Sequence, residues 1–470
     1  MGSEWKCLTV KKLVEQRVLD KPLDGNHGSF HPKGDDFVEI GIPFIMASDL
    51  INSHVDLQSC KYISFDQAQT LRKGFSIEGD VLLSHKATIG RTAIVGKLNT
   101  AYIMLTPQVT YYRVIDSGVL NNKYLKYYFD SKKFQDLLNS WAGGGSTRAY
   151  LGITAQLNLP IDFPPIQEQR AIAHILGTLD DKIELNRKMN HTLEAMAQAL
   201  FKSWFIDFDP VIDNALAAGN PIPEELQQKA AARESLGDAR KPLPEHIRNL
   251  FPATFRHTDQ LGWVPEGWEV KQLSGIIDII GGGTPKTTIA EYWGGNIPWF
   301  SVVDAPVDSD VFVIETEKYI TQKGVENSST KILPIGTTII SARGTVGKCA
   351  LVGKPMAMNQ SCYGIRGIEG ISDIFVYFSI REQVSNLVRS SHGSVFNTIT
   401  RNTFDTIQIP IGDIEITKVF EKQISPLFNK ILANITQYIE LTKLRDTLLP
   451  KLLSGELRIP AAEKLLEENV

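Results

Sequence analysis

The chain repeats itself, and that repeat limits its fold more than any other feature. Gly79-Asp80-Val81-Leu82-Leu83-Ser84-His85-Lys86-Ala87-Thr88-Ile89-Gly90 matches Gly336-Thr337-Thr338-Ile339-Ile340-Ser341-Ala342-Arg343-Gly344-Thr345-Val346-Gly347, 257 residues further on. Both run on into apolar segments, Ala93-Ile94-Val95 and Ala350-Leu351-Val352. Upstream, Ile42-Pro43-Phe44 pairs with Ile297-Pro298-Trp299. Downstream, Gly145-Ser146 pairs with Gly393-Ser394, and Leu159-Pro160-Ile161 with Ile409-Pro410-Ile411. Four matches in one order, with the offset drifting only from 257 to 248, imply duplication of a unit of roughly 250 residues.

Each unit has the same internal grammar. Its first ~150 residues carry short β-branched and aromatic runs broken by Gly, Pro, Asn and Asp, which predicts a mostly-β domain with some helix. A helical segment follows. In the first unit the apolar positions Ile172, Leu176, Leu179, Ile183, Asn186, Asn190, Leu193, Ala197, Leu200 and Trp204 fall on a 3-4 heptad. The second unit answers with Phe420, Ile424, Leu427, Ile431, Asn434, Tyr438, Leu441, Arg445, Leu448 and Leu452. Gly177-Thr178 and Ser425-Pro426 interrupt the two stretches at equivalent places. Thr178 with Asp181 resembles a capping box, and Ser425 before Pro426 is a good N-cap, so the pattern predicts a short helix, a break, and long helices over about 179–205 and 426–453.

Two heptad helices in one chain can bury their leucines against each other as a two-stranded coiled coil. The first leads away from the first globular domain and the second leads back, so they are expected antiparallel. Asn186 and Asn434 occupy equivalent core positions, where a buried polar residue fixes register at a cost in stability. Tyr438 and Arg445 stand where the first helix has Asn190 and Ala197; an Arg stem can pack while its head reaches solvent, so the seam is expected looser there. Ordinary amphipathic surface helices are the alternative. The expected fold class is therefore α+β: two mostly-β domains joined by two long antiparallel coiled-coil helices in pseudo-two-fold arrangement. A helix of ~27 residues spans ~40 Å, close to one turn of B-DNA at ~34–36 Å. Helices of that length suit a protein that reads two half-sites across an unread gap, with the helix acting as a ruler.

Charge decides little about the partner. The net charge of -4 argues against nucleic acid if spread evenly, yet residues 1–160 hold 18 Lys and Arg against 15 Asp and Glu. A protein-only bivalent scaffold thus stays open as an alternative. Cys7, Cys60, Cys349 and Cys362 never approach CxxC spacing, so reduced thiols are expected and a metal site is not. With no apolar run near the ~18–20 residues of a membrane span and no signal-peptide pattern after Met1, a cytoplasmic location is expected.

Several motifs resemble those of type I restriction-modification specificity subunits. Leu200-Phe201-Lys202-Ser203-Trp204-Phe205-Ile206-Asp207-Phe208-Asp209-Pro210-Val211 resembles the end of their central helix, and Leu448-Leu449-Pro450-Lys451-Leu452-Leu453-Ser454-Gly455-Glu456-Leu457 the end of their distal one. Gly294 to Trp299, Pro164 to Gln169, and Asp24 to Pro32 around His27-Gly28 are further matches, and together they cover essentially the whole chain. The resemblance implies a target-recognition domain over 1–165, a central helical region over 166–209, a connector over 210–262 with a helix near Glu224 to Leu236, a second target-recognition domain over 263–415, a distal helical region over 416–458 and a tail over 459–470. It also implies binding to double-stranded DNA, to two methyltransferase subunits and, through them, to restriction subunits. S-adenosylmethionine, ATP and magnesium would belong to those partners, with no cofactor on this chain.

Three pairs of segments are candidates for touching DNA. The first is the repeated Ser-x-[Lys/Arg]-x-Thr-x-Gly loop with its flanking cations: Ser84, His85, Lys86, Thr88 and Arg91, and Ser341, Arg343, Thr345 and Lys348. Hydroxyls, a cation and glycine can bind phosphate by side chain and backbone N–H, while a structural turn with an incidental cation is the alternative. The second is Ser146, Thr147 and Arg148, paired with Ser394, Asn397 and Arg401. There Arg148 could read guanine and Asn397 adenine by bidentate contacts, or the segments could be simple glycine turns. The third pair is His27 with Lys33, and Thr284 with Lys286, in polar turns early in each domain.

No catalytic residues are assigned. Phe163-Pro164-Pro165-Ile166 lacks the polar and aromatic residues of a base-methylation motif, and Gly344-Thr345-Val346-Gly347-Lys348-Cys349 has the wrong spacing for a phosphate-binding P-loop. A fused restriction enzyme is disfavoured because no residues are left over for a nuclease.

Overall fold

A computed structural model describes residues 5–28, 31–143, 149–237, 240–306, 310–390 and 398–469. The chain divides into two compact units, one formed by Met1–Ile183 with Glu440–Val470 and the other by Glu184–Ile439. The boundaries fall inside two 40-residue helices, Ile166–Phe205 and Ile414–Leu453.

In the first unit, a six-stranded sheet runs in the order Leu23–Asp24, Val109–Tyr112, Val81–Lys86, Thr88–Ile94, His54–Val55, Leu50–Ile51. All of its pairings are antiparallel except Thr88–Ile94 with His54–Val55. A second sheet centres on Ile42–Ile45, which pairs parallel with Ile103–Leu105 and antiparallel with Lys61–Ile63. The apolar runs of the sequence supply both cores: Leu82, Ala93, Ile103, Leu105 and Val109 pack together, and Ile42, Phe44, Ile63 and Met104 form a neighbouring cluster. Two short strands, Lys6–Thr9 and Pro160–Phe163, close the domain antiparallel. Helices Asn122–Asp130 and Lys132–Trp141 bury Tyr124, Phe129, Phe134 and Leu138. Gln169, in the first turn of the long helix, is fully buried and clamps that helix to the domain: its amide donates to the Val119 and Pro164 carbonyls and accepts from Asn121 N–H.

The second unit repeats the central strands of this plan. Its main sheet runs Ile277–Gly281, Cys362–Gly367, Thr338–Ser341, Cys349–Val352, Phe312–Val313, and its parallel pairing, Cys349–Val352 with Phe312–Val313, matches that of Thr88–Ile94 with His54–Val55, beyond which the first unit adds Leu50–Ile51. Trp293–Phe300 takes the part of Ile42–Ile45, pairing parallel with Ala357–Met358 and antiparallel with Tyr319–Ile320. Glu269–Gln272 and Gln408–Ile411 form the closing antiparallel pair. The motif around Trp204 is core: Phe201, Trp204, Phe205 and Phe208 pack with Phe251, Trp268, Phe375, Phe378 and Phe420 in one aromatic cluster. In the segment read as a connector, helices at Asp209–Ala218 and Gln227–Ser235 pack on each other, held by the fork of Arg233 on Asp213.

The two helices are continuous, which corrects the expected breaks. Thr178 and Ser425 do not cap; their hydroxyls donate back to the His174 and Glu421 carbonyls, four residues earlier in the same helix. Buried Ile175, Leu176 and Leu179 on one side, and Phe420, Ile424 and Phe428 on the other, carry each helix across the interruption. Pro426 removes only one ladder bond. Each helix is therefore ~60 Å long at 1.5 Å per residue, not ~40 Å.

Within the second unit, Asn186 Nδ2 donates to Gln437 Oε1 at 3.0 Å, Asn434 Nδ2 donates to Asn190 Oδ1 at 2.9 Å, and Phe201 meets Phe420 edge-on. The partner number falls as the helix number rises, so the helices run antiparallel. Leu179, Ile183, Asn186, Asn190, Ile431, Asn434, Leu441 and Leu448 are buried, whereas Leu193, Leu200, Leu427 and Tyr438 lie at the edge of the seam. Phe428 and Ile435 are buried beside Leu427 and Tyr438. A straight helix drifts ~20° per heptad against a strict 3.5-residue repeat, and that drift moves the seam by one position.

Nor is the seam loose at the exceptions. In the first unit Arg445 reaches Asp180 at 2.7 Å, and in the second the Tyr438 hydroxyl donates to Asp310 at 2.6 Å.

Candidate nucleic-acid interface

The repeated loop is the tip of a β-hairpin in each unit, and the structure separates its supporting residues from its outward ones. Ser84 and Ser341 are fully buried, so they are not free to meet a ligand. The Ser84 hydroxyl accepts from Arg91 N–H at 2.8 Å, and that of Ser341 from Lys348 N–H at the same distance, tying the outgoing strand to the returning one. Ser341 also donates to the Thr345 carbonyl. Gly90 and Gly347 sit at φ +91° and +87°, a conformation that favours glycine. Serine and glycine thus recur because the turn needs them.

His85 is likewise buried. Its Nδ1 lies 3.0 Å from the Leu151 carbonyl, its Nε2 has no hydrogen-bond partner, and burial pushes its pKa below the usual histidine value. Arg91 is turned onto the Ala47 and Ser48 carbonyls, and Arg401 onto that of Ile279. Lys86, Thr88, Arg343, Thr345 and Lys348 remain exposed.

Strand register brings the candidate segments together. In the first unit, Thr110 pairs with both Asp24 and Leu83, so the turn bearing His27 and the hairpin tip bearing Lys86 leave the same end of the sheet. They line a cleft of about 330 Å³ with His31, Lys33, Thr106 and Gln108. His27 Nε2 lies 2.8 Å from Asp24 Oδ2, and the same buried carboxylate pairs with Lys73. Lys86 makes a β-bridge with Tyr150 and places its ammonium 6.0 Å from that ring.

The second unit repeats the convergence: Tyr363 pairs with both Gly281 and Ile340, and Arg343 bridges to Thr398. Here the Thr284 hydroxyl bonds Gln360, while Lys286 is exposed. Ser146, Thr147, Arg148, Ser394 and Asn397 lie outside the described residues. Sequence reasoning missed His31, Thr106, Gln108 and Tyr150, which flank the noted motifs without belonging to any repeated pattern; only strand pairing reveals them.

Two copies of one mixed fold, each presenting cations at the same sheet end, define a bivalent nucleic-acid-reading protein. The family model for the type I restriction modification DNA specificity domain matches residues 26–195 and again 265–441, and the chain belongs to that family. It is 28% identical over 448 residues to the type I restriction enzyme HindI specificity subunit of Haemophilus influenzae, covering 88% of this chain and 94% of that one. It is 26% identical over 386 residues to the MjaIX specificity subunit of Methanocaldococcus jannaschii, covering 81% and 78%. The crystal structure of the S subunit of a type I restriction-modification system from M. genitalium has a like fold, with a TM-score of 0.53 at 15% identity and 96% of each chain covered.

Proposed function

We propose that this chain reads a split DNA target, one half-site per duplicated domain, on behalf of a type I restriction-modification complex. The observation that carries the reading is the repetition of one central strand order in two domains with cations at one sheet end, matched by two copies of the family's DNA-specificity domain. Direct readout needs side chains that reach base edges, and phosphate contacts fix their register.

On this reading the two long helices hold two copies of the methyltransferase subunit, one per pseudo-symmetric half, and the restriction subunit attaches through them. The chain itself performs no chemistry. S-adenosylmethionine, ATP and magnesium act in those partners, and the complex works in the cytoplasm. No helix among the described residues is long and apolar enough to cross a membrane.

The test exchanges residues 1–165 for the equivalent domain of a relative and maps methylated sites in cells carrying the whole complex. One half-site should change and the other persist; retention of both original half-sites would refute modular reading.

A further inference from the structure

The cleft at the sheet end of the first unit has a chemistry that the repeat does not share. Its polar lining consists of His27, His31, Lys33, Lys86, Thr106 and Gln108, with no carboxylate among the lining residues. Among the described residues, neither lysine has a carboxylate within ion-pair distance. Asp24 is buried behind His27 and already paired with Lys73, and Asp36 is turned back onto the Lys33 backbone N–H at 2.7 Å. Thr106 is 3% exposed and lines the cleft, and its hydroxyl has no partner. A cleft lined by two ammonium groups and a hydroxyl left without a partner is suited to receive an acceptor.

We propose that this cleft seats one phosphodiester of the DNA backbone, so that the first unit carries a phosphate anchor of its own. This deepens the DNA-reading function proposed above and rests on it. Lys33 and Lys86 supply charge, and the Thr106 hydroxyl and Gln108 amide donate to the non-bridging oxygens. The shape agrees: base edges are recessed in grooves, whereas the phosphates form a ridge, and a concave cleft receives a ridge. The asymmetry has a visible cause. Thr106-Pro107-Gln108 leads into strand Val109–Tyr112, as Asn359-Gln360-Ser361 leads into Cys362–Gly367. In the second unit the places of Thr106 and Gln108 are taken by Asn359 and Ser361, and the Asn359 side chain is committed locally, accepting from Ser361 N–H at 3.0 Å.

The test uses the assembled complex with duplexes that carry a single neutral methylphosphonate, scanned through both half-sites. One linkage in the first half-site should weaken binding by wild type but not by the Lys33→Ala, Lys86→Ala double variant. Each single substitution should lower the slope of log affinity against log salt by about 1 and weaken all sequences alike. Gln108→Ala should weaken binding without changing base preference.

The proposal fails if no linkage separates wild type from the double variant, if the sensitive linkage lies in the second half-site, or if Lys86→Ala alters base preference. Calorimetric titration of the full chain with inorganic phosphate and deoxyadenosine monophosphate covers the other source of the same chemistry. Binding of either that is lost in Lys86→Ala, with an unchanged DNA salt slope, would reassign the cleft to a small anion. Failure of target reading itself would appear as equal wild-type affinity for target and scrambled duplexes. The salt slopes, which need no target, would still decide the cleft.

Discussion

Asp180 offers the sharpest test of how the first unit is held together. Its side chain, 12% exposed, meets Lys126 at 3.3 Å, the Tyr127 hydroxyl at 2.8 Å and Arg445 at 2.7 Å, so one carboxylate on the first long helix joins the domain to the second long helix. Burial alone would raise the Asp180 pKa, but Lys126, Arg445 and Tyr127 together hold it below the usual carboxylate value.

Asp180→Asn keeps the shape and removes the charge, leaving two cations facing a neutral amide. Removing one partner of a buried pair costs about 3–5 kcal/mol. The low end applies here, because Arg445 is 26% exposed and keeps Asp446 at 2.8 Å, and Lys126 keeps Asp130 at 2.9 Å. A loss of about 3 kcal/mol at 2–4 °C per kcal/mol lowers the melting temperature of the first unit by about 6–12 °C, read by scanning calorimetry of the full chain.

The pH dependence follows from the sign of the shift. A depressed folded pKa contributes stability that is present above the unfolded value of about 3.9 and is lost as pH falls through the lower folded value. The difference between wild type and variant should therefore persist at neutral pH and vanish in strong acid. A variant melting within about 1 °C of wild type at pH 7 would show that the network contributes nothing beyond packing.

Two further outcomes are expected. Ser341→Ala should cost about 0.5–1.5 kcal/mol by removing the hydroxyl that accepts from Lys348 N–H while leaving the salt slope of DNA binding unchanged; a lowered slope with no loss of stability would return this serine to the DNA contacts. His85 is buried with a lowered pKa, so as pH falls below its unfolded value of about 6.5 the unfolded state binds a proton that the folded state refuses, and stability falls by up to about 1.4 kcal/mol per pH unit until the folded value is reached. Denaturant titrations between pH 7.5 and 5 should show a shallower slope in His85→Gln than in wild type, the remainder coming from His31, whose pKa burial also lowers; an equal slope in both would remove His85 as a cause.

Much of the architecture was legible because it rests on long-range periodicity. The repeat of apolar runs foretold two like domains of mixed β and helix, and the heptads of Leu179, Ile183, Ile431 and Leu448 foretold two packed helices. The helix interruptions were misread for a local reason. Thr178 and Ser425 can cap a new helix or bond back to the carbonyl four residues earlier, and both options use the same atoms; the choice depends on whether the flanking turns are buried, which is a tertiary fact. Arg445 was misread in the same way, since nothing in its own helix announces Asp180.

The candidate interface was legible only as segments. The duplicated loop combined residues repeated for two different reasons: Ser84 with Ser341, and Gly90 with Gly347, recur because a hairpin must be tied and turned, while Lys86 and Arg343 recur as exposed cations at its tip. Repetition within one chain therefore marks what both domains need to fold at least as readily as what both need to bind. Differences between the copies carry the other half of the argument. Gln108 lines an open cleft, whereas Ser361, in the same place before the same strand, gives its N–H to the Asn359 side chain. Such a contrast is invisible to pattern matching, because no repeated motif spans these positions and only strand register pairs them. If the two domains read different half-sites, the positions to vary first are those where the fold is repeated and the hydrogen bonding is not.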